Sequence, residues 1–180
     1  MNRLGRTAFV EVCAAGLEVL LWASSDAQRA EIEHAGLEVA PGERLAAAIA
    51  QGADVEGVTA VLLLTDEDDY NALAATIVAG NSDIPVYRVA PSQSGVVSST
   101  TAGEALFTPI LTHPALTARH AAGATFTTQA SDGGTPQASD LLFRVNSDGT
   151  LIPVTPSTPP NPQPGDTLVL LGPEKTEKPE

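Results

Sequence analysis

Four consecutive acids, Asp66, Glu67, Asp68 and Asp69, are the densest group of potential ligands in the chain. Carboxylate oxygens in such a run suit a hard cation such as Ca²⁺ or Mg²⁺. The run also follows an apolar stretch, Thr59 to Leu64, and Thr65, where a strand ends and a helix begins. Thr65 or Asp66 is therefore placed to cap the helix, and the remaining acids fall in its first turn, where the helix dipole favours negative charge. Capping is the main role this spacing assigns; Asp66, Asp68 and Asp69 are the residues a bound cation would use.

The other reactive side chains do not form a recognisable constellation. His34, His113 and His120 have no partner four residues away and no H-E-x-x-H pattern, so a zinc site is not expected. Cys13, flanked by Val12 and Ala14, reads as a small buried hydrophobe. There is no G-x-S-x-G and no Walker sequence, and Asp132-Gly133-Gly134 has no Lys after it. The sequence is not expected to encode an enzyme.

The elements that carry these residues alternate. Leu4, Ala8, Val12 and Ala15 recur at a helical period that Gly16 ends. Leu17 to Ala23 reads as a buried strand with Trp22 near its end, in the core or anchoring an interface. Ser25 or Asp26 then caps a helix to His34, closed by Gly36. A short strand at Leu37 to Ala40, a helix at Glu43 to Gln51, a strand at Thr59 to Leu64, a helix from Glu67 to Ala79 closed by Gly80, and a last strand at Pro85 to Val89 complete this half. Residues 1–91 therefore read as an α/β domain with a Rossmann-like parallel sheet.

Residues 92–103, rich in Ser, Thr and Gly, read as a linker. Residues 104–173 read as a small β-rich, α+β module. It has a helix near Pro114 to His120 and strands at Thr125 to Gln129, Leu141 to Val145, Leu151 to Val154 and Thr167 to Leu171, with a turn at Asn146-Ser147-Asp148-Gly149. The apolar stretch Ala105 to Leu111 is expected to cover the sheet or a dimer partner. The proline-rich Pro153 to Pro164 reads as a stiff connection between strands, and residues 174–180 as a frayed, charged tail.

The 180 residues, 43% apolar, suffice for one α/β domain and an appended module. A net charge of -13, from 22 acids against 9 bases, repels a phosphate backbone, and no basic stripe relieves it, so nucleic acid is not an expected partner. A lone cysteine excludes an intrachain disulfide and suits a reducing compartment. Arg3 and Arg6 before the apolar run Thr7 to Ala23 suggest a leader, but Glu11 and Glu18 interrupt that run. No uncharged apolar stretch reaches the length of about 18 residues that a membrane helix needs.

Three segments together resemble the regulator-of-potassium-conductance, Trk-type tails of bacterial potassium channels, uptake subunits and cation/proton antiporters. Asn2-Arg3-Leu4-Gly5-Arg6 looks like the antiporter tails' variant of the dinucleotide fingerprint. Leu64-Thr65-Asp66-Glu67-Asp68-Asp69-Tyr70-Asn71 is similar to the family's apolar strand, Thr, acidic pair and Asn. Val145 to Gly149, followed by Pro164-Gly165-Asp166-Thr167-Leu168-Val169-Leu170-Leu171-Gly172, looks like the closing hairpin of the C-terminal ligand-binding subdomain. The resemblance implies a regulatory domain of a membrane cation/proton antiporter, at the cytoplasmic face of the membrane, with an attached or associated transporter as partner, and a homodimer.

It also implies a nucleotide site for NAD or AMP, with Asn2, Gly5, Ser24, Thr65 and Asn71 as its candidate residues. That site departs from the fingerprint. Asn2 stands where a pyrophosphate needs the second glycine, and Ala23, followed by Ser24 and Ser25, stands where a ribose-binding acid belongs. Nucleotide binding is therefore disfavoured, and the effector is left unassigned. The family's first strand would precede Met1, so the sheet is expected to lack its first strand, and Met1 is read as replacing upstream residues of a larger protein. Two rivals remain. A NAD(P)-binding, short-chain-type enzyme would need a tyrosine-lysine pair, but no Lys precedes Lys175. A degenerate scaffold or dimerisation domain would need no ligand.

Overall fold

Short apolar runs punctuated by polar caps become the strands and helices of a mixed α/β structure. A computed structural model describes residues 12–23, 25–40, 57–92, 102–107, 111–134, 136 and 139–172. The fingerprint segment 2–6, Ser24, the helix expected at 43–51, most of the linker and the tail 174–180 lie outside the described residues.

Residues 12–14 form a helical turn that stops at Gly16, whose φ of 91° few other residues adopt. Strand β1 (Leu20–Leu21) leads to helix α1 (Asp26–His34). Of the two expected caps, Ser25 fills the position: its hydroxyl accepts from the Gln28 amide at 3.3 Å. Gly36, at φ 72°, ends α1, and β2 (Glu38–Val39) pairs parallel with β1. Strand β3 (Val61–Leu63), helix α2 (Asp68–Asn81) and β4 (Val86–Arg88) follow, with β3 and β4 also parallel.

Two expectations are corrected here. Gly80 does not close α2, which continues through it to Asn81. The terminal carbonyls are met by side chains, Asn81 Nδ2 donating to Ile77 O at 2.7 Å and Ser82 Oγ to Val78 O at 3.0 Å, so no left-handed glycine is needed. The strand at Pro85 to Val89 is not the last of its sheet either. Strand β5 (Glu104–Ala105) adds alongside β4 in parallel, with Tyr87 opposite Glu104.

The remaining residues form helix α3 (His113–Ala121), capped by Thr112, and strands β6 (Phe126–Ala130), β7 (Asp140–Val145), β8 (Leu151–Pro153) and β9 (Thr167–Leu171). They make an antiparallel sheet in the order β6-β9-β7-β8. The turn at 146–149 forms as the sequence predicts: Gly149 sits at φ 86° and its amide donates to Asn146 O at 2.9 Å.

Among the described residues the parallel strands are split between two sheets, β1-β2 and β3-β4-β5. Val19, Leu62 and Leu64 pack against both the Leu21/Ile32 core and the main core. That main core joins the halves: Val89, Leu106 and Phe107 pack with Phe126, Phe143, Val169 and Leu171. Of the stretch expected over the sheet or a partner, Leu106, Phe107 and Leu111 are buried inside this chain. Trp22 packs against the core of β3, β4 and α2. No described helix is long and apolar enough to cross a membrane.

Candidate functional site

The C-terminal end of β3 gathers the sequence-predicted polar residues at the mouth of α2. The backbone turns from strand to helix at Thr65, whose hydroxyl accepts from the Glu67 amide at 3.2 Å, so Thr65 caps the helix entry from outside while Glu67 occupies the N-cap without a side-chain bond. Asn71, one turn into α2, is 1% exposed. Its amide donates to Thr65 O at 2.9 Å, and its carbonyl oxygen accepts from Thr65 Oγ at 2.7 Å. The two residues thus satisfy each other, and a buried amide left without partners would be costly.

The acids divide. Asp66 and Asp69 are exposed. Asp68 turns toward the chain after β4, where its Oδ2 accepts from the Ser92 amide at 2.8 Å; its Oδ1 is buried without a hydrogen-bond partner. The structure therefore gives Asp68 a loop-pinning role and does not bring Asp66, Asp68 and Asp69 together. Among the described residues no group of three His, Cys, Asp or Glu side chains is arranged to hold a metal ion. The indole Nε1 of Trp22, beyond β1, is the other buried polar atom without a partner among the described residues.

Of the candidate nucleotide-binding residues, Thr65 and Asn71 are brought into contact, while Asn2, Gly5 and Ser24 lie outside the described residues. For a dinucleotide the fit is poor at the described positions: the Thr65 and Asn71 groups are spent on each other, and Ala23, 2% exposed, offers no carboxylate to a ribose. The isolated side chains have ordinary structural surroundings. Burial pushes the Cys13 thiol above its usual range, against a smaller pull from a backbone hydrogen bond with Val19. His120 Nδ1 lies 3.2 Å from Ala124 O.

A second polar cluster, not anticipated from the sequence, ties the two halves together. Ser157 Oγ donates to the Glu104 carboxylate across the junction of β5 and the loop after β8. Burial alone would raise the Glu104 carboxyl, but the bonds from Ser157 and Thr155 outweigh it and hold the group below its usual range. Burial first, and then the Glu104 charge, push the Tyr87 phenol up. Next to this cluster Phe107 adopts φ 73°, the sole described non-glycine residue in the left-handed region, and its amide donates to Val154 O at 2.7 Å. No local periodicity signals these contacts, because the partners are far apart in the chain.

Removing the Asn71 side chain tests the first cluster. Asn71→Ala is expected to lower stability by about 1–3 kcal/mol, because Thr65 then loses a donor and an acceptor partner in a buried setting. Urea unfolding should show a lower midpoint at unchanged slope, and a double-mutant cycle with Thr65→Val should show strong coupling. Comparison with protein-family models, curated proteins and solved structures gives no match to this chain.

Proposed function

We propose that this chain is a regulatory domain of a membrane cation/proton antiporter, acting in monovalent cation transport from the cytoplasmic face on an attached or associated transporter. The observation that carries the reading is the common core. Val89, just after β4, packs with Leu106 and Phe107 against Phe143, Val169 and Leu171 of the antiparallel sheet. Close-packed interiors transmit displacement, so a change at the ends of β3 and β4 is felt in the β module. Such coupling lets ligand occupancy or dimer geometry bias one arrangement over another.

The split between β1-β2 and β3-β4-β5 supports the finer reading of a Rossmann-like sheet without its first strand. Side chains at and after β3 reach both cores, yet β1 and β3 are not paired. The closed Thr65–Asn71 pair favours a second reading, in which this half is a degenerate scaffold that assembles without a ligand. Thermal-shift titration with NAD(H), ATP, AMP, Ca²⁺ and Na⁺ separates the two: a saturable shift supports a sensor, and silence throughout supports the scaffold. The transport reading itself is tested in everted membrane vesicles from cells with and without the chain. Na⁺- or K⁺-driven proton exchange should differ between them, and identical exchange would overturn the proposal.

A further inference from the structure

Among the described residues, strand β6 occupies one edge of the antiparallel sheet. Its bonding parity is fixed at both ends, since the Gly172 amide donates to Thr125 O at 2.9 Å and the Ser131 amide to Asp166 O at 2.8 Å. The register between β6 and β9 is unbroken from Phe126 opposite Leu171 to Ala130 opposite Thr167. Thr125, Thr127, Gln129 and Ser131 therefore direct their backbone groups at β9. Those of Phe126, Thr128 and Ala130 point away from the sheet. Phe126 is buried, whereas the strand opens toward its end, with Gln129 and Ala130 exposed and Thr128 half-buried.

Edges of this kind are ordinarily blunted by charge, proline or shortness. The opposite edge follows that rule: β8 has three residues and ends on Pro153. The β6 edge does not, for it lies inside the run Ala121 to Ser131, which contains no charged residue and no proline. In a chain of net charge -13, two copies repel over most of their surface, and this neutral strip is where backbones of like copies meet without opposing carboxylates.

We propose that β6 is a self-association edge, pairing antiparallel with β6 of a second copy about a two-fold axis at Gln129. Thr128 then faces Ala130 of the second copy, each exchanging its outward N–H and C=O, and the antiparallel sheets become continuous. This surface belongs to the β module and is independent of the nucleotide-site residues.

In this register Gln129 meets its own counterpart at a non-hydrogen-bonded position, with Cα atoms about 4.5 Å apart, within disulfide reach. In a Cys13→Ser background, mild oxidation of Gln129→Cys is expected to yield a cross-linked dimer at least about tenfold faster than oxidation of Thr127→Cys, which has no thiol opposite it. Sedimentation velocity of the unmodified chain should show a monomer–dimer equilibrium. Thr128→Pro, which deletes an outward N–H and no bond to β9, should weaken that dimer at least about tenfold. A chain that stays monomeric up to about 500 µM overturns the proposal. So does equal cross-linking at the two positions, or a dimer indifferent to Thr128→Pro in a variant whose circular dichroism is unchanged.

Discussion

Phe143→Ala is expected to cost about 3–5 kcal/mol, as the loss of a fully buried aromatic ring does. Phe143 is 2% exposed, lies in β7 opposite Val169 of β9, and meets Phe107 edge-to-face with ring centroids 5.5 Å apart. Its removal leaves a cavity where the parallel and antiparallel halves join, and Phe107 loses the ring that packs beside its strained backbone. The consequence should be visible far from the substitution. Trp22, the sole tryptophan, packs on the β3-β4-α2 core, so its fluorescence reports the parallel half. In urea titrations the Trp22 signal and the far-ultraviolet dichroism should shift together to a lower midpoint. A Trp22 transition that stays in place while the dichroism moves would show that the halves unfold independently, and the coupling argued for regulation would fall with it.

Arg144→Ala comes next, at about 3–5 kcal/mol, because it strands a buried carboxylate. Arg144 in β7 donates to Asp166 Oδ2 at 3.1 Å and to Asn161 O at 2.7 Å. Only 7% of the Asp166 side chain is exposed, and the same oxygen accepts from the Gln163 amide at 2.8 Å. The pair thereby fastens the proline-rich connection to the sheet. Replacing Arg144 by Met together with Asp166 by Leu should cost less than Arg144→Ala alone, since no unpaired charge is then left behind. Denaturant midpoints for the three variants decide the matter. A double variant as unstable as Arg144→Ala would move the cost from desolvated charge to lost loop bonds. The exposed Asp132 near the same end of the sheet, whose Oδ1 accepts from the Gly134 amide at 2.9 Å, should lose at most about 1 kcal/mol on substitution by Ala.

Elements marked by local chemistry were legible in the amino-acid sequence. Ser25 caps its helix, Gly36 ends it, the Asn146 to Gly149 turn joins β7 to β8, and β9 spans the expected residues, Thr167 to Leu171. Each depends on a few neighbouring residues whose backbone preferences agree. What was illegible depends on distant partners. Strand β5 has two residues, too few for any period, and exists because β4 offers an edge to Glu104 and Ala105. Gly80 has the residue type of a helix stop, but the side chains of Asn81 and Ser82 had already met the terminal carbonyls. For the site, the spacing of Thr65 and Asn71 was visible as a motif, whereas their mutual satisfaction is a property of the loop between them. The Ser157–Glu104 contact had no local signal at all.

The order β6-β9-β7-β8 has a consequence for the birth of the protein. Strand β9, which joins β6 to the β7-β8 hairpin, is translated last of the four. A ribosome delivers β6 without its β9 partner, and then the β7-β8 hairpin with the inner flank of β7 vacant, and neither can close on the other until Leu171 has emerged. Nascent chains must therefore carry Phe126, Leu142 and Phe143 without their β9 partners until Leu171 follows, a window in which holdase chaperones have something to hold. Assembly of this module thus waits for β9, while the hydrogen bonds of β3 with β4 are available to form much earlier.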